Sequence, residues 1–276
     1  MKPLLLILVL VVANSTLATA PAQTPTDAAA DVEAEAAEAR AVAKTTADGY
    51  IVHLDNPDVK LERPAEPVLR WTNQRNRRFY GEVYVWTHQG RPEAVASIDR
   101  IYVSGPTTSE TEFQSLSTGR PRLSIGESVV WKPAVPGVEW KPIPGAGRPA
   151  PSAAARLPQM RALAAEFATT GKYGPELKEI EELRLLRTPV FRYASQERGV
   201  TDGTLFAFSK GTDPDVLLLI EARGEKEAAE WQFAFARLNG YAEFTAVRQG
   251  VEVWHVDRHS HQTNTDPTQP YFLLRK

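Results

Sequence analysis

The stretch Pro67-Val-Leu-Arg-Trp71 returns 122 positions later as Pro189-Val-Phe-Arg-Tyr193, and the register continues without a gap to Ile98 and Ile220. Within this window aromatic residues replace aromatic residues, and aliphatic residues replace aliphatic ones. A register held through matched prolines and a matched glycine is typical of a duplicated unit. The sequence therefore predicts two copies of one structural unit.

Both copies carry strand candidates, which are runs of β-branched and aromatic residues bounded by turn signals. They cover residues 67–72, 80–87, 94–103, 111–117 and 127–132 in the first copy, and 183–194, 203–209, 215–223, 230–238 and 243–256 in the second. Because side chains alternate along a strand, Tyr84 and Trp86 share one face, and Phe206 and Phe208 share the equivalent one. We expect two antiparallel sheets, each with one large apolar face that a helix or the other unit's sheet covers.

Two helices are predicted. Residues 23–47 are rich in alanine and glutamate, and Val32 and Val42 are their only large apolar positions, so we expect a solvated helical spacer. A second helix begins after a capping residue, Ser152 or one near it, and ends near Gly171. The predicted fold class is α+β, with two tandem repeats of a helix followed by an antiparallel sheet of about five strands. NTF2-like or cystatin-like units are the alternative, on fold analogy alone.

The N-terminus has the features of an export signal. Lys2 precedes a nine-residue apolar run from Leu4 to Val12, and Ala20-Pro-Ala22 offers a cleavage site. The run is too short to span a bilayer stably, which takes about 20 residues. We expect a periplasmic or secreted protein with no transmembrane segment after cleavage, and an uncleaved anchor is the alternative. The predicted segments are a signal peptide (1–22), an Ala/Glu-rich helical spacer (23–47), a first repeat unit (48–133), a Pro/Gly-rich linker (134–151), a second repeat unit (152–256) and a polar His-containing tail (257–276).

Composition excludes several classes of function. The 276-residue chain has a net charge of −2, so we interpret its basic loop, Arg75-Asn-Arg-Arg78, as solvated and predict no nucleic-acid partner. The chain has no cysteine, which excludes disulfides, a lipid-carrying cysteine, a catalytic cysteine and thiolate metal sites. It also lacks the G-x-S-x-G, H-E-x-x-H, P-loop and G-x-G-x-x-G motifs, so we assign no catalytic residue and no cofactor.

Arg70 and Arg192 are the charged residues that both copies retain inside the repeated strands. A fixed guanidinium suits carboxylate or phosphate, so the two arginines are candidate ligand-binding residues. An ion pair across the sheet is the structural alternative, with Asp99 and Glu221 as conceivable partners.

Three of the five histidines fall within the segment His255-Val-Asp-Arg-His-Ser-His261. Imidazoles at this spacing, with a carboxylate beside them, suit zinc or copper. The candidate metal ligands are His255, Asp257, His259 and His261. A solvated tail that binds metal weakly is the alternative.

Four stretches carry a family resemblance, and they are Arg91-Pro-Glu-Ala-Val-Ala-Ser97, Glu112-Phe-Gln-Ser-Leu116, Gln159-Met-Arg-Ala-Leu163 and Gly211-Thr-Asp-Pro-Asp-Val-Leu-Leu-Leu-Ile-Glu-Ala-Arg223. Together they resemble a family of uncharacterised exported proteins from planctomycete bacteria. The resemblance covers the chain from residue 67 to the end of the last predicted strand. It implies an exported bacterial protein, and it assigns neither an activity nor a catalytic residue.

The leading hypothesis is an exported non-catalytic protein that binds a ligand or a cell-envelope partner, or that has a structural role. The rival is an extracytoplasmic hydrolase whose site lies where the copies differ, such as Asp202 against Tyr80 or His88 against Lys210. Metal capture by the tail is the third hypothesis. What the copies preserve is turns and apolar positions, so we expect function where they disagree or at the seam between them.

Overall fold

The computed structural model describes residues 25–55, 58–73, 78–103, 106–224 and 228–275, so the predicted signal peptide lies outside the described residues. Strands account for 51% of the chain and helices for 16%, and the strands form three sheets. The predicted α+β class with two helix-plus-sheet repeats is therefore wrong, including its NTF2-like and cystatin-like alternative. The physical reason is that several segments without a clear strand signal pair with the expected strands.

The described ranges contain the helices α1 (Pro25–Asp48), α2 (Ala153–Ala164) and α3 (His261–Asn264). The strands up to the linker are β1 (Tyr50–Asp55), β2 (Asp58–Lys60), β3 (Leu69–Asn73), β4 (Arg78–His88), β5 (Arg91–Tyr102), β6 (Thr108–Ser115), β7 (Pro121–Ile125) and β8 (Ser128–Trp131). Those that follow are β9 (Lys141–Pro142), β10 (Phe167–Tyr173), β11 (Glu179–Leu185), β12 (Phe191–Ser195), β13 (Val200–Ser209), β14 (Val216–Arg223), β15 (Glu230–Arg237), β16 (Glu243–Arg248), β17 (Val251–Val256) and β18 (Tyr271–Arg275).

The strands are arranged in three antiparallel sheets, as the alternating pattern predicts for strand direction. A four-stranded sheet has the order β2-β1-β7-β8, and a five-stranded sheet has the order β18-β6-β5-β4-β3. The nine-stranded sheet runs β17-β16-β10-β11-β13-β14-β15-β9, with β12 paired to β13, and it curls into a half-barrel.

Strands β3 to β6 and strands β12 to β15 pair in the same register at an offset of 122 positions. Leu69 lies opposite Val83 as Phe191 lies opposite Leu205. The pairing of β5 with β6 recurs in the same way between β14 and β15. A common origin of the two sets of strands stays a prediction.

The glycine shared by the two copies lies beneath an aromatic ring in each. Trp71 is the cross-strand partner of Gly81, and Tyr193 is the partner of Gly203. A Cβ atom on Gly81 would come within 2.1 Å of the Trp71 ring, and one on Gly203 within 2.5 Å of the Tyr193 ring. Close approach of the ring therefore requires glycine at both positions, which holds each aromatic side chain flat on its sheet.

The five-stranded sheet and the matching part of the half-barrel are buried on both faces, whereas one apolar face was expected. Tyr84 and Trp86 face a core completed by α1 and the four-stranded sheet, and Phe206 and Phe208 face a core completed by α2 and β16. The opposite faces meet each other in a shared core that includes Trp71, Val83, Val85, Val95, Leu205, Ala207, Leu217 and Leu219. The two sheets therefore pack directly together, as near-continuous apolar runs in β4 and β14 allow.

Helix α1 is not the solvated spacer that its few large apolar residues predict. Ala39, Ala43 and Ala47 follow a four-residue spacing and are all buried. Ala43 and Ala47 belong to the same core as Trp86. A stripe of small side chains thus packs on the sheet, although it carries little of the hydrophobic signal that marks a buried helix.

The start of α2 follows the prediction and its end does not. Ser152 caps the helix, because its hydroxyl accepts a hydrogen bond from the backbone N–H of Ala155 at 3.3 Å. The helix ends at Ala164 and not near Gly171, since residues 167–173 form β10 between β11 and β16. The apolar Phe167, expected within the helix, is the first residue of that strand.

The C-terminal segment is not a solvated tail. Tyr271, Phe272 and Leu273 are buried, and β18 pairs with the free edge of β6. On the half-barrel the equivalent edge, that of β15, is covered by Lys141 and Pro142 of β9, which lie in the predicted linker. The outer edges of β6 and β15 are therefore each protected by a short segment from elsewhere in the chain.

Candidate functional site

Charged residues flank the shared core at opposite ends of β5 and β14. One end, which we name the paired seam, holds Arg91, Glu93 and Glu221. At the other end, which we name the acidic seam, the positions that match at the offset of 122 hold Asp213, Asp215 and Asp99. Because Asp213 stands where the paired seam has Arg91, the two seams differ in charge balance.

The paired seam is a closed ionic network. Arg91 is 1% exposed, and its Nε and Nη1 atoms each lie 2.9 Å from a carboxylate, that of Glu221 and that of Glu93 respectively. The Tyr193 hydroxyl donates to Glu221 at 2.7 Å, and Arg223 forms a further ion pair with Glu221. Each buried carboxylate thus has at least one guanidinium beside it, as burial of a charge requires.

Asp99 at the acidic seam is buried without a cation. It is 8% exposed, and its Oδ1 atom accepts a hydrogen bond from the Ser97 hydroxyl at 2.7 Å. The Trp71 indole N–H donates in turn to Ser97 at 3.2 Å. Burial, together with the nearby Asp213 carboxylate, raises the pKa of Asp99 to about 7. In the described part of the chain no lysine or arginine pairs with Asp99.

Two more carboxylates near Asp99 have raised pKa values. Burial raises the pKa of Asp215 to about 7, although the Lys210 backbone N–H and the Asn239 amide donate to it at 2.9 and 2.8 Å. Burial, and then the charge of Asp99, raise the pKa of Glu112 well above its usual range. Clusters of carboxylates with raised pKa values are found more often at functional sites than elsewhere.

A cavity of about 160 Å³ opens on the acidic seam. Its acidic wall is formed by Asp99, Glu110, Glu112 and Asp213, and its aromatic wall includes Trp71, Phe79 and Tyr241. A second cavity, of about 460 Å³, adjoins it and shares Asn73, Asp213 and Asn239 with it. Of the four carboxylates only Glu110 is ion-paired within the described residues, to Arg275. The arrangement can accept a cation or can exchange protons near pH 7.

The arginines predicted to bind a ligand are engaged with carboxylates of their own strand pairs. Arg70 Nε lies 2.8 Å from Glu82, its cross-strand partner, and Nη2 lies 2.7 Å from Glu66. Arg192 makes two hydrogen bonds with Asp202, at 3.0 and 2.7 Å. The ion pair across the sheet is therefore present, with partners other than the Asp99 and Glu221 that were considered. Neither arginine lines the cavity at the acidic seam.

The four candidate metal ligands do not converge. His255 lies 3.3 Å from Asp257, the His259 ring packs edge-on against Tyr271, and His261 lies 3.3 Å from an Arg275 guanidinium nitrogen. Burial lowers the pKa of His259 to about 4. Over the described residues no group of three or more His, Asp or Glu side chains is arranged to hold a metal ion. Metal binding by this segment stays a prediction.

The positions singled out as differences between the copies have structural roles. Asp202 pairs with both Arg192 and Arg156, and His88 lies 3.1 Å from the Arg198 guanidinium. Lys210 lines the cavity that adjoins the acidic seam and pairs with Glu181. The most informative difference is that Arg91 matches Asp213. Both residues lie within the aligned stretches, so the sequence alone shows this change of charge.

No family model matches the chain, and neither a curated protein nor a solved structure matches it. In the described part of the chain, no helix combines the length and apolar character that a bilayer crossing needs. Residues 75–77 of the basic loop lie outside the described residues.

Proposed function

We propose that the protein is an exported, non-catalytic binding protein whose acidic seam holds a cationic group of its ligand, an alkylammonium or a guanidinium. The observation that carries this proposal is Asp99, a buried carboxylate in a cavity wall, with which no lysine or arginine of the described residues forms an ion pair. Export rests on the N-terminal leader and on the resemblance to exported planctomycete proteins. A cell-envelope component that presents such a cationic group fits both parts of the proposal.

The charge of the acidic seam supports a cationic ligand. A buried carboxylate without a partner is costly, and it responds by holding a proton, which is why the pKa of Asp99 rises to about 7. A bound ammonium or guanidinium supplies the missing charge, as Arg91 does for Glu221 at the paired seam. Ligand binding therefore competes with protons for the same carboxylates.

The other wall of the cavity supports the same chemistry. Trp71, Phe79 and Tyr241 present aromatic surface, and aromatic rings attract cations through their quadrupole. A volume of 160 Å³ corresponds to about five water molecules, which suits one cationic group and its short alkyl chain. The adjoining cavity of 460 Å³ has room for the remainder of a larger ligand.

Calorimetric titration with butylammonium, butylguanidinium and the neutral 1-butanol tests this function. We expect the two cations to bind above pH 7 and to bind more weakly below it, because Asp99 then holds a proton. 1-Butanol should not bind. The substitution Asp99→Asn should weaken cation binding by about tenfold or more, which corresponds to about 1.4 kcal/mol.

Asp257→Asn is the matched control, because Asp257 has an exposed carboxylate that lies outside this cavity. It should leave cation binding unchanged. Equal affinity of the wild type and Asp99→Asn for the cations, or the same affinity above and below pH 7, contradicts the proposal.

An extracytoplasmic hydrolase is the second candidate, favoured by one observation. Asp99 and Asp215 both have pKa values of about 7, which suits general acid catalysis near neutral pH. A panel of chromogenic glycosides, esters and phosphodiesters separates the candidates. Turnover that is lost in Asp99→Asn and kept in Asp257→Asn favours the hydrolase, and cation binding without turnover favours the binding protein.

A further inference from the structure

A third cavity, of about 590 Å³, shares no lining residue with the cavity at the acidic seam. It lies between the end of β15, strand β17 and the segment that leads to β18. The histidine-rich segment forms part of its wall through His255 and His259. The histidine-rich motif, which contributes no residue to the cavity at the acidic seam, therefore lines this cavity instead.

Arg237, the last residue of β15, lines this cavity and is 4% exposed. Its guanidinium donates to the backbone carbonyls of Asn239, Asp257 and Ala242 at 3.0, 2.8 and 2.7 Å. In the described part of the chain no carboxylate lies within ion-pair distance of it. Burial lowers the pKa of Arg237 to about 10, which is the direction expected for a desolvated cation.

The other buried arginines of the described chain differ from Arg237 in this respect. Arg91 pairs with Glu93 and Glu221, Arg156 pairs with Asp202, and Arg248 pairs with Glu166. Three carbonyl partners satisfy three of the five N–H donors of a guanidinium, and the carboxylates that act on its charge, Glu112 and Asp257, form no ion pair with it. Arg237 thus has both free donors and a charge that no ion pair among the described residues compensates, beside a cavity.

The remaining wall of the cavity combines apolar surface with further positive charge. Phe235 and Trp254 stack at 5.4 Å between ring centroids, and the Tyr271 ring lies nearby. Arg258 adds a cation to the rim, while the Asp257 side chain, the carboxylate of this wall, is 91% exposed. An anionic group is therefore favoured at Arg237, with an apolar body against the rings.

We infer that this cavity is a second binding site, for a small ligand that carries a carboxylate or a phosphate on an apolar body, and that Arg237 is its anion-binding residue. The guanidinium pairs with the anion through the donors that the carbonyls leave free. The aromatic wall contacts the apolar body. This site shares no lining residue with the cavity at the acidic seam, and it takes a ligand of opposite charge.

Calorimetric titration of the full chain with benzoate, phenyl phosphate and the neutral benzamide tests the inference. We expect at least one of the two anions to bind, which identifies the preferred acid group, and benzamide not to bind. Arg237→Lys should weaken anion binding by about tenfold, because an ammonium keeps the charge and loses the planar fork. Arg237→Gln should abolish it.

Arg248→Gln is the matched control, since it removes a buried arginine that does not line the cavity. It should keep the affinity for the anions. Should Arg237→Gln fail to fold, the indole N–H resonance of Trp254 in the wild type replaces it, and this signal should shift on addition of the anion. Absence of anion binding by the wild type, unchanged affinity in Arg237→Lys, or binding without a shift of the Trp254 signal overturns the inference.

Discussion

The paired seam and the acidic seam occupy matching positions at opposite ends of the same two strands, yet they treat buried charge in opposite ways. At the paired seam Arg91 forms ion pairs with both Glu93 and Glu221. At the acidic seam Asp213 replaces the arginine, and a cavity lies next to Asp99. The exchange of Arg91 for Asp213 thus accompanies the difference between a seam whose buried carboxylates are ion-paired and one whose buried carboxylate borders a cavity.

The largest expected effect comes from breaking the paired seam. Arg91→Ala leaves two buried carboxylates with less compensation, so we expect the free energy of unfolding to fall by about 3–5 kcal/mol. Urea denaturation at neutral pH measures this change. A loss below about 1 kcal/mol would mean that Arg223 and Arg198 already compensate the carboxylates, and that the paired seam does not depend on its central arginine.

Removing the charge of Asp99 should raise the free energy of unfolding, whereas removing that of Arg91 should lower it. Its pKa is about 7 in the folded protein and 3.8 without the fold, so between these values the folded state holds a proton that the unfolded state releases. The free energy of unfolding therefore falls as the pH rises from 3.8 to about 7, and the cost is complete above 7. Asp99→Asn should raise stability above pH 7 by on the order of 4 kcal/mol and leave it little changed near pH 4. Urea denaturation as a function of pH measures both values, and equal stability of the two proteins at all pH values would show that the carboxylate carries no such cost.

Converting the acidic seam into a paired seam is a sharper test of their equivalence. Asp213→Arg introduces a guanidinium at the position that matches Arg91, so it should pair with Asp99 and lower the pKa of that carboxyl. We expect a gain of about 1–2 kcal/mol above pH 7, together with loss of butylammonium binding. An NMR titration of the Asp99 carboxyl reports the pKa. Should its pKa remain near 7, the two seams are not equivalent in geometry.

The smallest effects are expected at the arginines retained in both copies. The Arg70 side chain is 53% exposed, and solvent screens its ion pairs, so Arg70→Ala should cost about 0.5 kcal/mol. Arg192→Ala should cost about 1 kcal/mol, because its partner Asp202 is buried but keeps Arg156. Neither substitution should alter cation binding. A change in butylammonium affinity in either variant would show that these arginines contribute to ligand binding.

The sequence predicts the central strands well and the surrounding ones poorly. Strands β4, β5, β14 and β15 carry long apolar runs with turn residues at both ends, and they fall within a few residues of the predicted ranges. The sequence predicts a helix up to about Gly171, because Phe167 continues the helical spacing of α2, whereas residues 167–173 form strand β10. It predicts a solvated α1, because alanine contributes little to a hydrophobic pattern even when it is buried.

Only part of the candidate site was accessible from the sequence. The expectation that function lies where the copies differ, or at the seam between them, points to the same region as the proposed site, and the sequence offers Asp99 only as a conceivable ion-pair partner of the repeated arginines. The burial of Asp99, and the lack of an ion pair to it among the described residues, depend on how the two sheets pack. The pattern of residues along a single strand does not specify that packing. Glu112 occurs in the sequence only as part of a stretch that carries the family resemblance, and Arg237 belongs to no motif, so the sequence assigns a role to neither. Both residues stand out through their desolvated surroundings.

The C-terminal strand has a consequence for the order of folding. Tyr271 of β18 contacts Glu112 of β6 across 159 residues of sequence, so the edge of the five-stranded sheet stays open until nearly the whole chain has been synthesised. Contacts of such long range slow folding, and an open strand edge is prone to pair with other chains in the meantime. Strand β18 would therefore be among the last to pair, and loss of residues 271–275 would leave the edge of β6 open to pairing with other chains.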